Sequence, residues 1–76
     1  MKWNLSTAHD TIQSHLYYLI GDCQIELSWT KKDNLITLNI YQDNEVMTLK
    51  YMSRTARPWS ARNTFRIVED LKRTFR

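Results

Sequence analysis

The chain has one cysteine, one glycine and one proline in 76 residues. A single thiol excludes an internal disulfide framework and fits a reducing, cytoplasmic setting. A lone glycine, Gly21, cannot build the glycine-rich loop that cradles phosphate. No apolar run approaches spanning length, and the N-terminus lacks a signal peptide's apolar core, so no membrane partner is expected. Metal-ligand spacing is missing too. His9 and His15 stand six residues apart, which on a helix turns them onto different sides, whereas chelation uses i, i+4 pairs. Neither catalysis nor a metal or other cofactor is expected.

What the chain does have is alternation. Cys23, Ile25, Leu27 and Trp29 share a face with Ile36, Leu38 and Ile40, and again with Met47, Leu49 and Tyr51. Period-2 patterning with β-branched and aromatic residues is what a half-buried antiparallel sheet requires. A two-residue turn at Asp43-Asn44 sets Leu38 opposite Leu49; one at Lys32-Asp33 sets Leu27 opposite Leu38. Both registers keep every one of these side chains on one face. The other face shows Gln24, Glu26, Ser28, Thr37, Asn39, Thr48 and Lys50 in its middle, with Leu35, Tyr41, Val46 and Met52 at its margins. That polar centre is expected to split the marginal residues into separate patches. Cys23, on the inner face, reads as a small hydrophobe.

Residues 60–75 are predicted to form a helix capped by Ser60, with Ala61, Phe65, Val68, Leu71 and Phe75 laid on the sheet. Residues 6–20 admit two readings. As a helix, Thr7 and Asp10 form a capping box, Ala8, Ile12, Leu16 and Leu19 line one side, and Gly21 ends it. As a strand, Ile12, Leu16, Tyr18 and Ile20 extend the sheet, with Trp3 and Leu5 available for a fifth strand. The helix is favoured. The fold class is therefore α+β, a single domain over 1–76 with order α-β-β-β-α; the alternative is a five-stranded meander with one helix.

Charge is segregated. Residues 1–53 carry four lysines against six carboxylates, whereas residues 54–76 carry seven cations against Glu69 and Asp70, a net +5. Such a block suggests an anionic partner. Arg66 has Asp70 at i+4 and Arg73 has Glu69 at i−4, so local pairing is expected for both. Arg54, Arg57 and Arg62 have no such partner in sequence. Trp59 lies among them, either as a stacking platform or as a seal on the edge of the core. The candidate partner-binding residues are Arg54, Arg57, Trp59, Arg62 and Arg66.

Two resemblances bear on the partner. The element order, with a basic start to the last helix, resembles a double-stranded RNA-binding domain, in which that region grips phosphates. Arg54, Arg57, Arg62 and Arg66 occupy comparable territory, although the helix start reads Ser60-Ala61-Arg62-Asn63 in place of that family's Gly-rich, lysine-repeated signature. Leu5-Ser6-Thr7-Ala8-His9 is similar to the opening of a small phage anti-CRISPR protein of the type I-F inhibitors. That likeness implies a strand at these residues and a non-enzymatic mode of action, in which the inhibitor covers a surface of the effector.

The expectation is a non-enzymatic binding protein, monomer or homodimer. Its partner would be a host protein or ribonucleoprotein complex with an anionic surface, occluded as a phage or mobile-element inhibitor would occlude it. The alternative is direct binding of duplex RNA or DNA, read by shape.

Overall fold

The computed structural model describes residues 2–76. A helix α1 (Leu5–Ile20) leads into strands β1 (Gln24–Thr30), β2 (Leu35–Gln42) and β3 (Glu45–Met52), and helix α2 (Ala61–Thr74) closes the chain. The sheet is antiparallel in the order β1-β2-β3. This is the α-β-β-β-α arrangement; the five-stranded alternative is not adopted.

The strand pairing follows from the alternation. Leu27 faces Leu38 and Leu38 faces Leu49, as the side-chain period demands. Asp43 and Asn44 make the second turn at φ of 53° and 65°, the left-handed conformation a two-residue hairpin needs. The first turn is longer than expected. β1 stops at Thr30, and Asn34, not Lys32 or Asp33, takes the positive φ, of 51°. Asn34 is held there: its Oδ1 accepts from the Trp29 indole at 3.0 Å and its Nδ2 donates to the Ser53 carbonyl at 3.1 Å.

α1 is adopted, and it turns Ala8, Ile12 and Leu16 of the expected helical stripe into the core. Thr11 Oγ1 and His15 Nδ1 each donate to the carbonyl four residues back, at 2.8 and 2.9 Å. The cap is Asn4, one turn earlier than the Thr7–Asp10 box; its Oδ1 accepts from the Thr7 N–H at 3.0 Å. Leu5–His9, which the inhibitor resemblance sets in a strand, thus opens α1. Gly21, at φ 87°, ends the helix as expected.

Ala8, Ile12 and Leu16 of α1 join Ile25, Leu27, Ile36, Leu38 and Ile40 and the α2 residues Ile67, Val68 and Leu71 in one core. The helices cover β1 and β2 better than β3, whose inner-face Met47 stays 44% exposed. α2 is also rotated from the expected stripe. Phe65 is 46% exposed, while Asn63, Thr64 and Ile67 go inside. Phe65 and Leu71 lie about 120° apart around a helix, so one stripe does not hold both. On the outer face Tyr41 pairs with Val46 at one end and Leu35 with Met52 at the other. Between them Asn39 donates to Glu26 at 3.1 Å and accepts from Thr48 at 2.6 Å, a polar network that splits the apolar margins.

Candidate anion-binding surface

Residues 53–60 run from β3 to α2 and are tied down by one buried side chain. Asn63 Oδ1 accepts from the Arg54 N–H at 3.2 Å. Its Nδ2 is shared among Ser53 Oγ at 2.8 Å and the carbonyls of Arg57 and Pro58 at 3.2 and 3.3 Å. Ser60 caps α2 as expected, accepting from the Asn63 N–H at 3.2 Å. The arginines of this loop therefore project from a backbone anchored at the Arg54 N–H and at the Arg57 and Pro58 carbonyls.

Three guanidinium groups converge at its exit. Arg54, Arg62 and Arg66 line an open concavity of about 430 Å³ together with Phe65, Glu69 and Arg73. Arg66 does not pair with Asp70. It reaches instead to the end of β3 and donates from Nη2 to the Met52 carbonyl. Its Nη1 is shut off from water without an acceptor. Burial, then the charges of Arg54 and Arg62, push the Arg66 guanidinium below its ordinary pKa.

The two carboxylates of α2 pair with other groups, although Glu69 lines this concavity. Asp70 accepts from the Tyr51 hydroxyl at 2.8 Å and pairs with Arg73 at 3.7 Å. Glu69 pairs with Lys72 at 3.4 Å, not with Arg73. The i+4 and i−4 pairings expected from the spacing are thus replaced by i+3 contacts, because Tyr51 beneath α2 draws Asp70 towards the sheet. Among the described residues no ion pair includes Arg54, Arg57, Arg62 or Arg66.

The five candidate residues do not form one patch. Arg57 and Trp59 line a neighbouring cleft of about 690 Å³, with Lys2, Trp3 and Pro58. Trp59 packs against the core, as the sealing reading expects, and also lines this cleft. The Trp3 and Phe65 rings meet edge to face with centroids 5.5 Å apart. Phe65 belongs to the arginine concavity and Trp3 to the cleft, so this pair is the ridge between them.

Sequence reasoning missed Lys2, Trp3 and Phe65 as surface residues and Asn63 as the loop's anchor. A signal existed for Asn63, a polar residue three positions after a serine cap. None existed for Phe65, whose apolarity pointed inward. Elsewhere the chain offers little chemistry. Among the described residues no three of His, Cys, Asp and Glu gather as a metal site. Burial, then Asp22, pushes the Cys23 thiol pKa up, and the Gln13 hydrogen bond opposes them only in part. No helix among the described residues is long and apolar enough to cross a membrane.

No protein family, curated protein or solved structure matches this chain.

Proposed function

We propose that this chain is a non-enzymatic binding protein that uses its arginine concavity to dock on an anionic surface of a nucleic-acid-processing complex, and so occludes it. What supports this reading is one observation. Arg54, Arg62 and Arg66 line one concavity and, among the described residues, none of them is in an ion pair, although Glu69 lines it too. Like charges gathered beside a half-buried guanidinium cost stability, and an arriving anion relieves that cost. The resemblance at Leu5–His9 makes a type I-F CRISPR effector the complex to test.

The measurement is target-DNA binding by such an effector with and without the protein. Wild-type protein is expected to suppress binding, and the Arg54→Ala/Arg62→Ala variant to restore it. A folded wild-type protein that leaves the effector untouched removes the inhibitor setting.

A second reading, direct nucleic-acid binding, is favoured by the net +5 of residues 54–76 and the arginines gathered in the concavity. On a duplex, affinity would fall by roughly 0.9 log unit per log salt for each phosphate neutralised.

A further inference from the structure

Trp3 and Trp59 line one cleft, flanked by the cations Lys2 and Arg57. The third tryptophan, Trp29, donates its indole N–H to Asn34 at 3.0 Å. Among the described residues no internal acceptor meets the indole N–H of Trp3 or Trp59, and neither nitrogen is shut off from water, so both are free to donate to a ligand. The cleft therefore presents ring surface, free N–H donors and positive charge together. The arginine concavity lies on the far side of the Trp3–Phe65 ridge.

We infer that this cleft is a nucleobase-stacking site, and that cleft and concavity together bind a short unpaired strand of nucleic acid. The inference rests on reading the arginine concavity as an anion site. Bases stack on the indoles, the phosphates that follow lie across Phe65 towards Arg54 and Arg62, and Arg57 and Lys2 hold the backbone at the cleft's mouth. Stacking on aromatic side chains along a positive groove is how single strands are held without sequence readout. A duplex cannot use this cleft in the same way. Its bases are paired and already stacked, so it offers the rings no free face and meets the arginines through phosphates alone.

The test is a titration with fluorescein-labelled oligothymidylate and oligouridylate of twelve nucleotides, beside a twelve-base-pair duplex, inorganic polyphosphate and polyglutamate. Single strands are expected to bind at least about tenfold tighter than the duplex and to quench tryptophan fluorescence. Trp3→Ala, which lies outside every helix and strand, is expected to weaken single-strand binding at least about fivefold and leave polyphosphate binding unchanged. Trp59 also packs on the core, so Trp59→Phe, which keeps an apolar ring there, serves as the second variant and is expected to reduce the quench. Equal affinity for strand and duplex, with no effect of Trp3→Ala, overturns the stacking site but leaves the anion site standing if polyphosphate binding still depends on Arg54 and Arg62. Polyglutamate competing as well as oligothymidylate assigns the surface to an acidic protein and also overturns the inference. Failure of polyphosphate and every oligonucleotide to bind removes the anion site itself. Equal binding of the two single strands fits the inference; a preference for one of them names DNA or RNA as the source.

Discussion

The two flanks of the sheet are finished in opposite ways. Along β1, α1 supplies donors that close the edge: His9 Nε2 reaches the Ile25 carbonyl at 3.3 Å and Gln13 Nε2 the Cys23 carbonyl at 2.6 Å. Gln42 adds a tie from β2 to the Ile20 carbonyl at the end of α1, at 2.8 Å. Polar side chains on that flank are consumed by the fold. Along β3 the reverse holds. Met47 is left partly bare, Arg66 reaches only the last carbonyl of the strand, and its other nitrogen finds nothing. The contrast separates two duties. The α1 flank carries stability, and the β3–α2 flank carries charge that the fold itself does not use.

Substitutions test that division, and the largest effect belongs on the closed side. Leu16 is fully buried in α1. Leu16→Ala is expected to cost roughly 2–5 kcal/mol, by lost transfer energy and the cavity left behind. Urea denaturation measures it, and a loss well under 1 kcal/mol would mean that α1 is not the anchor claimed here.

Asn63 joins the two sides, since it is fully buried yet holds the loop that carries Arg54 and Arg57. Asn63→Ala leaves several backbone groups without their partner and is expected to cost about 1–3 kcal/mol. It should also weaken anion binding where the fold survives, because the arginines lose their fixed positions. Calorimetric unfolding and a polyphosphate titration on the same variant read both effects; unaltered binding would show that the loop's order is not needed.

The smallest stability effect is expected on the open side. Arg62 sits one turn before Arg66 on α2, a like-charge neighbour that disfavours the helix slightly. Arg62→Ala should therefore leave the melting temperature no lower than the parent's while reducing anion affinity. A clear drop in melting temperature would place this arginine with the structural residues and erase the distinction between the flanks.

How far the sequence reached differs by element. The register of all three strands was legible because side-chain direction alternates rigidly, which fixes the face, and the turn positions then select the pairing of Leu27, Leu38 and Leu49. The helix over residues 5–20 was legible as a possibility. In the structure Ala8, Ile12 and Leu16 go to the core as one helical stripe, with Asn4 as the cap. On α2 the pattern misled, since both Phe65 and Ile67 are apolar and only one could face the core. Arg66 was placed beside Asp70 by spacing alone; Tyr51, distant in sequence, had a shorter claim on that carboxylate.

By itself the sequence determined the meander, the C-terminal helix and the segregation of positive charge into the last third of the chain. These follow from composition and from the periods of helix and strand, which act over a few neighbouring residues. Only the tertiary structure decided which arginines stand together, that Trp3 comes to meet Phe65, and that the candidate surface has two parts rather than one. Those depend on how far α2 is rotated over the sheet, and that rotation is set by the burial of the whole core, which no local stretch of residues records.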